Sequence, residues 1–563
     1  KPQVAPAYEG APEFFKKVQA MMIANKGDLL PTSALPADGK FPSGTTKYEK
    51  RDLAAEIPVW DPSLCIQCNK CVSICPHAAI RSKFYPEAAL AGAPETFKSV
   101  PFKAPAKDGV KNLFTLQVAP EDCTGCTICT QVCPSKDKND PSRKAIMMRP
   151  QPPLRESEAK NWDFFLGLPD PDRTKLGNTM RDVQFMTPLM EFSGACAACG
   201  ETPYIKLMTQ LFGDRTYIAN ATGCSSIYGG NLPTTPYTTN KDGRGPAWAN
   251  SLFEDNAEFG LGMRYAVDMK TASAKRELAA LAPVVGDELV KAILEAPQKT
   301  EADIAAQRER VAELNKKLEA AGTPEAKSLL AISEFLVKKC VWIVGGDGWA
   351  YDIGYGGVDH ALASGKNIKI LVLDTEVYSN TGGQQSKSTS IAAVAKFATA
   401  GKKLPKKDLA QIAVQYGNVY VARVSIGYKD TQLLQAMKEA EAFDGPAIII
   451  AYAHCIAHGL RNLADGAEHQ KVAVETGYWP IFRYNPTNIE AGKNPFSLDV
   501  PAMKTALDEF MQTETRFKGL KRSNPEHAAE LYAKAQEMVT RRFHYYQALT
   551  KTYAPEAQGE EKK

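Results

Sequence analysis

No uninterrupted apolar run in the 563 residues reaches the roughly 18 that a membrane-crossing helix needs. The longest candidate, 447–460, is broken by His454 and His458. A charge excess is missing too. With 68 basic against 64 acidic residues the net charge is +4, which argues for neither a nucleic acid nor an acidic membrane surface. Evenly scattered cysteines, the mark of a secreted disulfide framework, are likewise lacking. Thirteen cysteines are an odd number, and eight crowd into two tight groups, as metal-thiolate sites do. Such thiolates need little oxygen, which places the protein in a reducing cytoplasm. The chain begins at Lys1 rather than at Met, inside what reads as a linker, so a removed signal or a large preceding part stays open. What remains is ordinary: 44% hydrophobic and 23% charged residues, in a chain long enough for two or three cores.

The stretch 341–385 organises the rest. VWIV (341–344) reads as a short buried strand, Gly345-Gly346-Asp347-Gly348 as a turn, and IKILVL (368–373) as a second strand after a helix-compatible segment. This is a βαβ unit, whose ligand sites lie at the carboxyl ends of its strands. Asp347 and the group Asp374-Thr375-Glu376 both fall there. A dinucleotide turn would require G-x-G-x-x-G with only backbone N–H groups facing the pyrophosphate, and no third glycine occurs at that offset. A carboxylate beside a diphosphate needs a hard cation between them, and Mg²⁺ suits oxygen ligands shared with phosphate. Asp347, the Thr375 hydroxyl and a backbone carbonyl could supply them. Equally, Asp347 could be an N-cap in an ordinary glycine turn. The local residues leave both readings standing.

The most specific motif is Cys65-x2-Cys68-x2-Cys71-x3-Cys75-Pro76, repeated as Cys123-x2-Cys126-x2-Cys129-x3-Cys133-Pro134. This is the spacing of the bacterial two-[4Fe–4S] ferredoxins, in which the fourth cysteine of each run serves the other cluster. Cys65, Cys68, Cys71 and Cys133 are therefore expected on one cluster, and Cys123, Cys126, Cys129 and Cys75 on the other. Zinc knuckles pair two CxxC units instead of crowding three thiolates into each run. A further CxxC, Cys196 to Cys199, opens three possibilities: a redox pair, a zinc half-site or part of a cluster. Cys224, Cys340 and Cys455 are single. The apolar, strand-like flanks of Cys340 suggest a buried inert thiol. His454 and His458, spaced like a ligand pair, follow a strand and read better as satisfied structural histidines.

In order, the expected organisation is a linker over 1–55, with a helical pattern near 12–24. A small α+β ferredoxin-like domain follows over 56–150, with a surface excursion at 82–111. A Pro-rich linker covers 151–190, amphipathic only around 161–166. An α/β domain over 191–500 has a parallel sheet with flanking helices and a solvated helical hairpin inserted at about 251–340. A helical region at 501–563 ends in the charged tail QGEEKK, expected to be mobile.

GDG followed about 28 residues later by Asp374-Thr375 resembles the Mg-diphosphate motif of thiamine diphosphate enzymes, many of which carry Asn-Asn at the second position. The whole loop LDTEVYSNTGGQ (373–384), together with the cysteine runs, resembles the C-terminal half of the single-chain pyruvate:ferredoxin (flavodoxin) oxidoreductases. The resemblance implies thiamine diphosphate, with Mg²⁺ on Asp347, Thr375 and the Val377 carbonyl. Gly346, Asp347, Gly348 and Trp349, with Thr375, Glu376, Val377, Tyr378, Ser379 and Asn380, would wrap the diphosphate and thiazolium. It implies a third [4Fe–4S] cluster on Cys196, Cys199, Cys224 and Cys455, with Glu201 and Cys224 touching the cofactor. Asn380 is the candidate for contacting substrate; a loop-stabilising amide is the alternative. The activity implied is oxidative decarboxylation of pyruvate with coenzyme A, passing electrons to ferredoxin or flavodoxin, as in anaerobic metabolism, in a homo-oligomer. Enzymes for 2-oxoglutarate or indolepyruvate share these motifs. A non-catalytic electron-transfer module is the different-class alternative. The glutamate that activates thiamine, with most substrate and coenzyme A contacts, is expected in a pyrimidine-binding domain preceding this chain.

Anaerobically purified protein should therefore carry about twelve irons with one thiamine. With pyruvate and coenzyme A, the 563 residues alone should reduce no viologen dye. Eight irons would remove the third cluster, and dye reduction would remove the need for a preceding domain.

Overall fold

A computed structural model describes residues 8, 10–103, 111–230 and 233–553; the tail 558–563 and part of the 82–111 excursion lie outside them. The strands, in chain order, are β1 (Glu56–Trp60), β2 (Ile80–Pro86), β3 (Val100–Pro101), β4 (Asn112–Val118), β5 (Ile146–Pro150), β6 (Thr216–Ala221), β7 (Ala247–Ser251) and β8 (Cys340–Gly346). They continue with β9 (Lys369–Asp374), β10 (Val377–Tyr378), β11 (Gln384–Gln385), β12 (Tyr420–Val424), β13 (Ala447–Tyr452), β14 (Phe482–Tyr484) and β15 (Phe496–Leu498).

Eight of these form one sheet in the order β15-β14-β12-β13-β9-β8-β6-β7. The six strands from β12 to β7 run parallel, and β14 and β15 close one edge antiparallel. AIIIAY of β13 and KILVLD of β9 are buried along their whole length. Continuous apolar runs are what a strand covered on both faces requires. Because β13, β9, β8 and β6 are adjacent and parallel, their carboxyl ends open onto one rim. The chain leaves that rim as Cys455, Thr375, Asp347 and Cys224 respectively, each one to three residues past its strand.

The cysteine runs lie in a smaller α+β unit, with β1 paired to β5 and β4 between β2 and β3. Each run leads into a short helix, Lys70–Ile74 or Ile128–Gln131. Before the first, Gln67 and Asn69 adopt positive φ of 59°; before the second, Gly125 and Thr127 do so at 66° and 62°. The repeated left-handed turns coil each run tightly enough to bring three sulfurs together.

Several expectations need correction. The stretch 151–190 is less a linker than expected, since Arg155–Gly167 is a helix with Trp162 and Phe165 buried. The insertion is no solvated hairpin. Five helical segments from Asn256–Ala280 to Pro324–Ile332 enclose their own apolar core, including Leu278, Leu314, Leu318 and Leu329. Its alternation of Glu, Lys and Ala disguises that core as a wet surface, because the buried stripe is narrow. The C-terminal helices Leu507–Met511, Thr515–Ser523 and Pro525–Thr552 pack into the main core, through Phe510, Phe517, Leu531 and Tyr546 among others.

Leu314→Ala, at a fully buried position of the insertion core, should cost about 2–5 kcal/mol. Amide exchange should rise across 256–332 and leave β8 and β9 protected. Exchange spreading through β9 would show that the insertion has no core of its own.

Candidate functional site

The diphosphate motif is built from the ends of β8 and β9. Gly345 and Gly348 are required for steric reasons. A Cβ on Gly345 would stand 2.5 Å from the Trp349 ring, and one on Gly348 2.4 Å from the Tyr378 ring. Gly346 is different, with its nearest neighbour, the Leu373 carbonyl oxygen, 3.8 Å from such a Cβ. Its backbone therefore borders a space that a side chain would fill, as an approaching diphosphate requires.

Asp347 is buried, and its Oδ1 lies 3.1 Å from the Thr375 hydroxyl. That hydroxyl is 3.2 Å from the Val377 carbonyl oxygen and 2.7 Å from the Ser379 hydroxyl. The three oxygens expected around Mg²⁺ thus converge. Ser386 donates to Asp347 Oδ2 at 2.5 Å, and among the described residues no cation pairs with Asp347. Burial, then the nearby charge of Asp374, push its carboxyl well above the usual carboxylate range. A buried carboxylate lacking a cationic partner, beside a hydroxyl and a carbonyl, suits a small hard cation.

The neighbours of Thr375 hold it in place. Asp374 and Glu376 both point inward, and Lys406 donates to each at 3.0 Å. Tyr351 and Ser388 complete the hydrogen bonding of Asp374. Glu376 also accepts from Tyr478 at 2.5 Å and from Arg516 at 2.6 Å. Burial opposes its charge, but Lys406 and Arg516 hold its carboxyl well below the usual range. The side chain expected to face the cofactor is therefore consumed in the interior. Trp349 is also a core residue, 2% exposed. Any cofactor contact from Glu376 or Trp349 would come through the backbone. Tyr378 and Ser379 are half-buried, and Asn380 is exposed at the tip of the hairpin joining β10 and β11.

The cysteines assemble in three groups. Cys65, Cys68, Cys71 and Cys133 line one small cavity; Cys75, Cys123, Cys126 and Cys129 line another. The Gln67 N–H points at Cys65 Sγ (3.3 Å), and the Gly125 N–H at Cys123 Sγ (3.4 Å), which favours thiolate-type ligands in both runs. Burial raises the Cys123 thiol to about 12 and the Cys71 thiol well above its ordinary value, so a bound metal would be needed to ionise such sulfurs. In the third group, Cys224 interacts electrostatically with Cys199, Cys455 and Cys196 across the rim. Cys455 Sγ lies 3.5 Å from the Ser379 hydroxyl, which joins this group to the β9 loop. Glu201 is buried beside it and accepts from Tyr228 at 2.9 Å; burial lifts its carboxyl to about 7. Cys340 lies apart in the core, its thiol directed at Glu441.

The histidines are both satisfied. His454 reaches the Ala198 carbonyl (2.9 Å) and Gln470 (3.1 Å). His458 Nε2 lies 2.6 Å from the Thr375 carbonyl oxygen, while its Nδ1 faces the Cys455 N–H at 3.4 Å. Burial lowers them to about 3 and about 4, so both are neutral at physiological pH. Sequence reasoning missed Ser386, Lys406, His469, Glu514 and Arg516. Only Ser386 had a local signal, the hydroxyl-rich run SKSTS immediately after the loop.

Residues 64–136 match the family described as 4Fe-4S dicluster domain. Residues 329–451 match the thiamine pyrophosphate enzyme, C-terminal TPP binding domain, and residues 2–54 a domain of unknown function. The chain is 58% identical over 552 residues to the pyruvate-flavodoxin oxidoreductase of Nostoc sp., covering 97% of this chain and 46% of that protein. It is 49% identical over 560 residues to the pyruvate:ferredoxin oxidoreductase of Moorella thermoacetica, again covering 96% and 46%. This chain thus spans just under half the length of these relatives. A solved 2-oxoglutarate:ferredoxin oxidoreductase from Magnetococcus marinus is 15% identical, covering 47% of this chain and 65% of that one. Its TM-score of 0.28 is too low to bear on the fold.

Lys406→Met would leave Asp374 and Glu376 buried without their shared cation. It should destabilise by about 3–5 kcal/mol, read as a lowered Tm with faster amide exchange at 374–390. An unchanged Tm would mean that Arg516 and the tyrosines suffice.

Proposed function

Because this chain is related along nearly all its length to the C-terminal half of the pyruvate-flavodoxin and pyruvate:ferredoxin oxidoreductases, we propose that it carries the diphosphate site and the electron path of such an enzyme. The observation that carries the reading is the shared rim, where four adjacent strand ends present Cys224, Asp347, Thr375 and Cys455 side by side. The reaction is pyruvate plus coenzyme A going to acetyl-CoA, CO₂, a proton and two electrons. Thiamine diphosphate, when bound, supplies the carbanion chemistry for loss of CO₂.

The chain's own residues supply position and route. Asp347, the Thr375 hydroxyl and the Val377 carbonyl would hold Mg²⁺, and the backbone at Gly346 and Gly348 would take the diphosphate. Glu201 and Cys224 would meet the cofactor on the side of the cysteines, and exposed Asn380 would contact substrate. Ser379 links the cofactor loop to Cys455, so a cluster held by Cys196, Cys199, Cys224 and Cys455 would be the one placed to accept electrons first. The Ala198 N–H, inside that CxxC, favours the ionised form of the Cys126 sulfur. A cluster held by Cys75, Cys123, Cys126 and Cys129 would be next, and one held by Cys65, Cys68, Cys71 and Cys133 last, ahead of ferredoxin or flavodoxin. The activating glutamate and the coenzyme A contacts belong to the part of the enzyme outside this chain.

Two substitutions separate the halves of the reading. Asp347→Ala should abolish Mg²⁺-dependent thiamine diphosphate binding, measured by calorimetry, with iron content unchanged. Cys455→Ser should reduce about twelve irons to about eight and retain the cofactor. Cofactor binding by Asp347→Ala equal to the parent, or full iron in Cys455→Ser, would each overturn its half.

A further inference from the structure

Lys206 lies on the helix Thr202–Phe212 that follows the Cys196–Cys199 segment, and it is 3% exposed. Its ammonium donates to three backbone carbonyls, those of Val72, of Ser73 at 2.9 Å and of Cys75 at 3.1 Å. Three acceptors match the three donors of a charged ammonium, and they end the helix Lys70–Ile74, where carbonyl dipoles favour a cation. Among the described residues no carboxylate pairs with Lys206. The adjacent Arg81 has its own partner, Glu191. Burial opposes the charge of Lys206, and the side chains that favour it are those of Cys75 and Cys71.

Those two sulfurs belong to different groups, Cys71 with Cys65, Cys68 and Cys133, and Cys75 with Cys123, Cys126 and Cys129. A cation without a carboxylate partner is thus buried between two sites that each take up an electron. Reduction adds negative charge, and in a low-dielectric interior an ammonium held by three carbonyls favours the reduced form.

On the iron–sulfur part of the reading above, we propose that Lys206 is a potential-setting residue: its buried charge raises the reduction potentials of both ferredoxin-type clusters together. Because it stands on the helix leading from Glu201, it holds this charge in register with the segment of the first electron acceptor. It is a positioning residue, touching neither substrate nor cofactor.

The test is a redox titration, followed by electron paramagnetic resonance, of the anaerobic holoprotein and its Lys206→Met, Lys206→Gln and Lys206→Arg variants. Lys206→Met and Lys206→Gln should shift the two ferredoxin-type midpoints to more negative values. The signal dependent on Cys455 should move less, and Lys206→Arg should stay near the parent. Unmoved midpoints in either neutral variant at full iron content would overturn the proposal. So would loss of iron in both neutral variants, which would make the lysine a structural cap. Fewer than eight irons in the parent would instead overturn the cluster reading on which it rests.

Discussion

Two carboxylates flanking Thr375 are turned into the protein and tied to one lysine, and the geometry of the rim depends on that tie. Asp374 and Glu376 share Lys406, and Glu376 passes the connection on to Arg516, which in turn binds Glu514. Removing such charges from water is costly, so the arrangement persists only because each has its counterpart. With its neighbours anchored inward, Thr375 can present its hydroxyl outward to Asp347. The C-terminal helices thereby become part of the support, since Glu514 precedes and Arg516 lies within the helix Thr515–Ser523.

The same support reaches the sulfur side. His458 bridges the Thr375 carbonyl to the N–H of Cys455, and Glu514 faces both His458 and His469. Burial opposes the charge of Glu514, but the Arg516 guanidinium outweighs it and holds the carboxyl at about 2. His458, His469 and Glu514 lie close enough together to resemble a metal site. Their bonds to Thr375, Tyr452 and Thr513 and the Arg516 guanidinium beside Glu514 mark them as scaffold. Loop and thiolates are thus set by one continuous interior.

What the residues revealed in advance is what operates at short range. The ferredoxin spacing, the GDG turn and the buried strands β8, β9 and β13 each declare themselves within about ten residues. The inward turn of Glu376 was not legible, because Lys406, Tyr478 and Arg516 lie 30 to 140 positions away with no periodic pattern of their own. The core of the insertion was hidden for another reason. Leu314 and Leu318 form a stripe too narrow to stand out among Glu and Lys on the same helix. The helix Arg155–Gly167 was masked by the prolines on either side of it.

The rim gathers its sulfurs from distant points of the polypeptide. Cys196 and Cys199 precede β6, Cys224 follows it, and Cys455 comes only after β13, with the whole insertion and five strands of the main sheet between Cys224 and Cys455. No nascent chain on a ribosome can offer those four thiols together until β13 has emerged and seated itself between β12 and β9. The eight thiols of the smaller unit are all translated by residue 133. If these thiols hold the clusters proposed above, loading should accordingly be staged, the smaller unit first and the group of Cys196, Cys199, Cys224 and Cys455 after synthesis is nearly done.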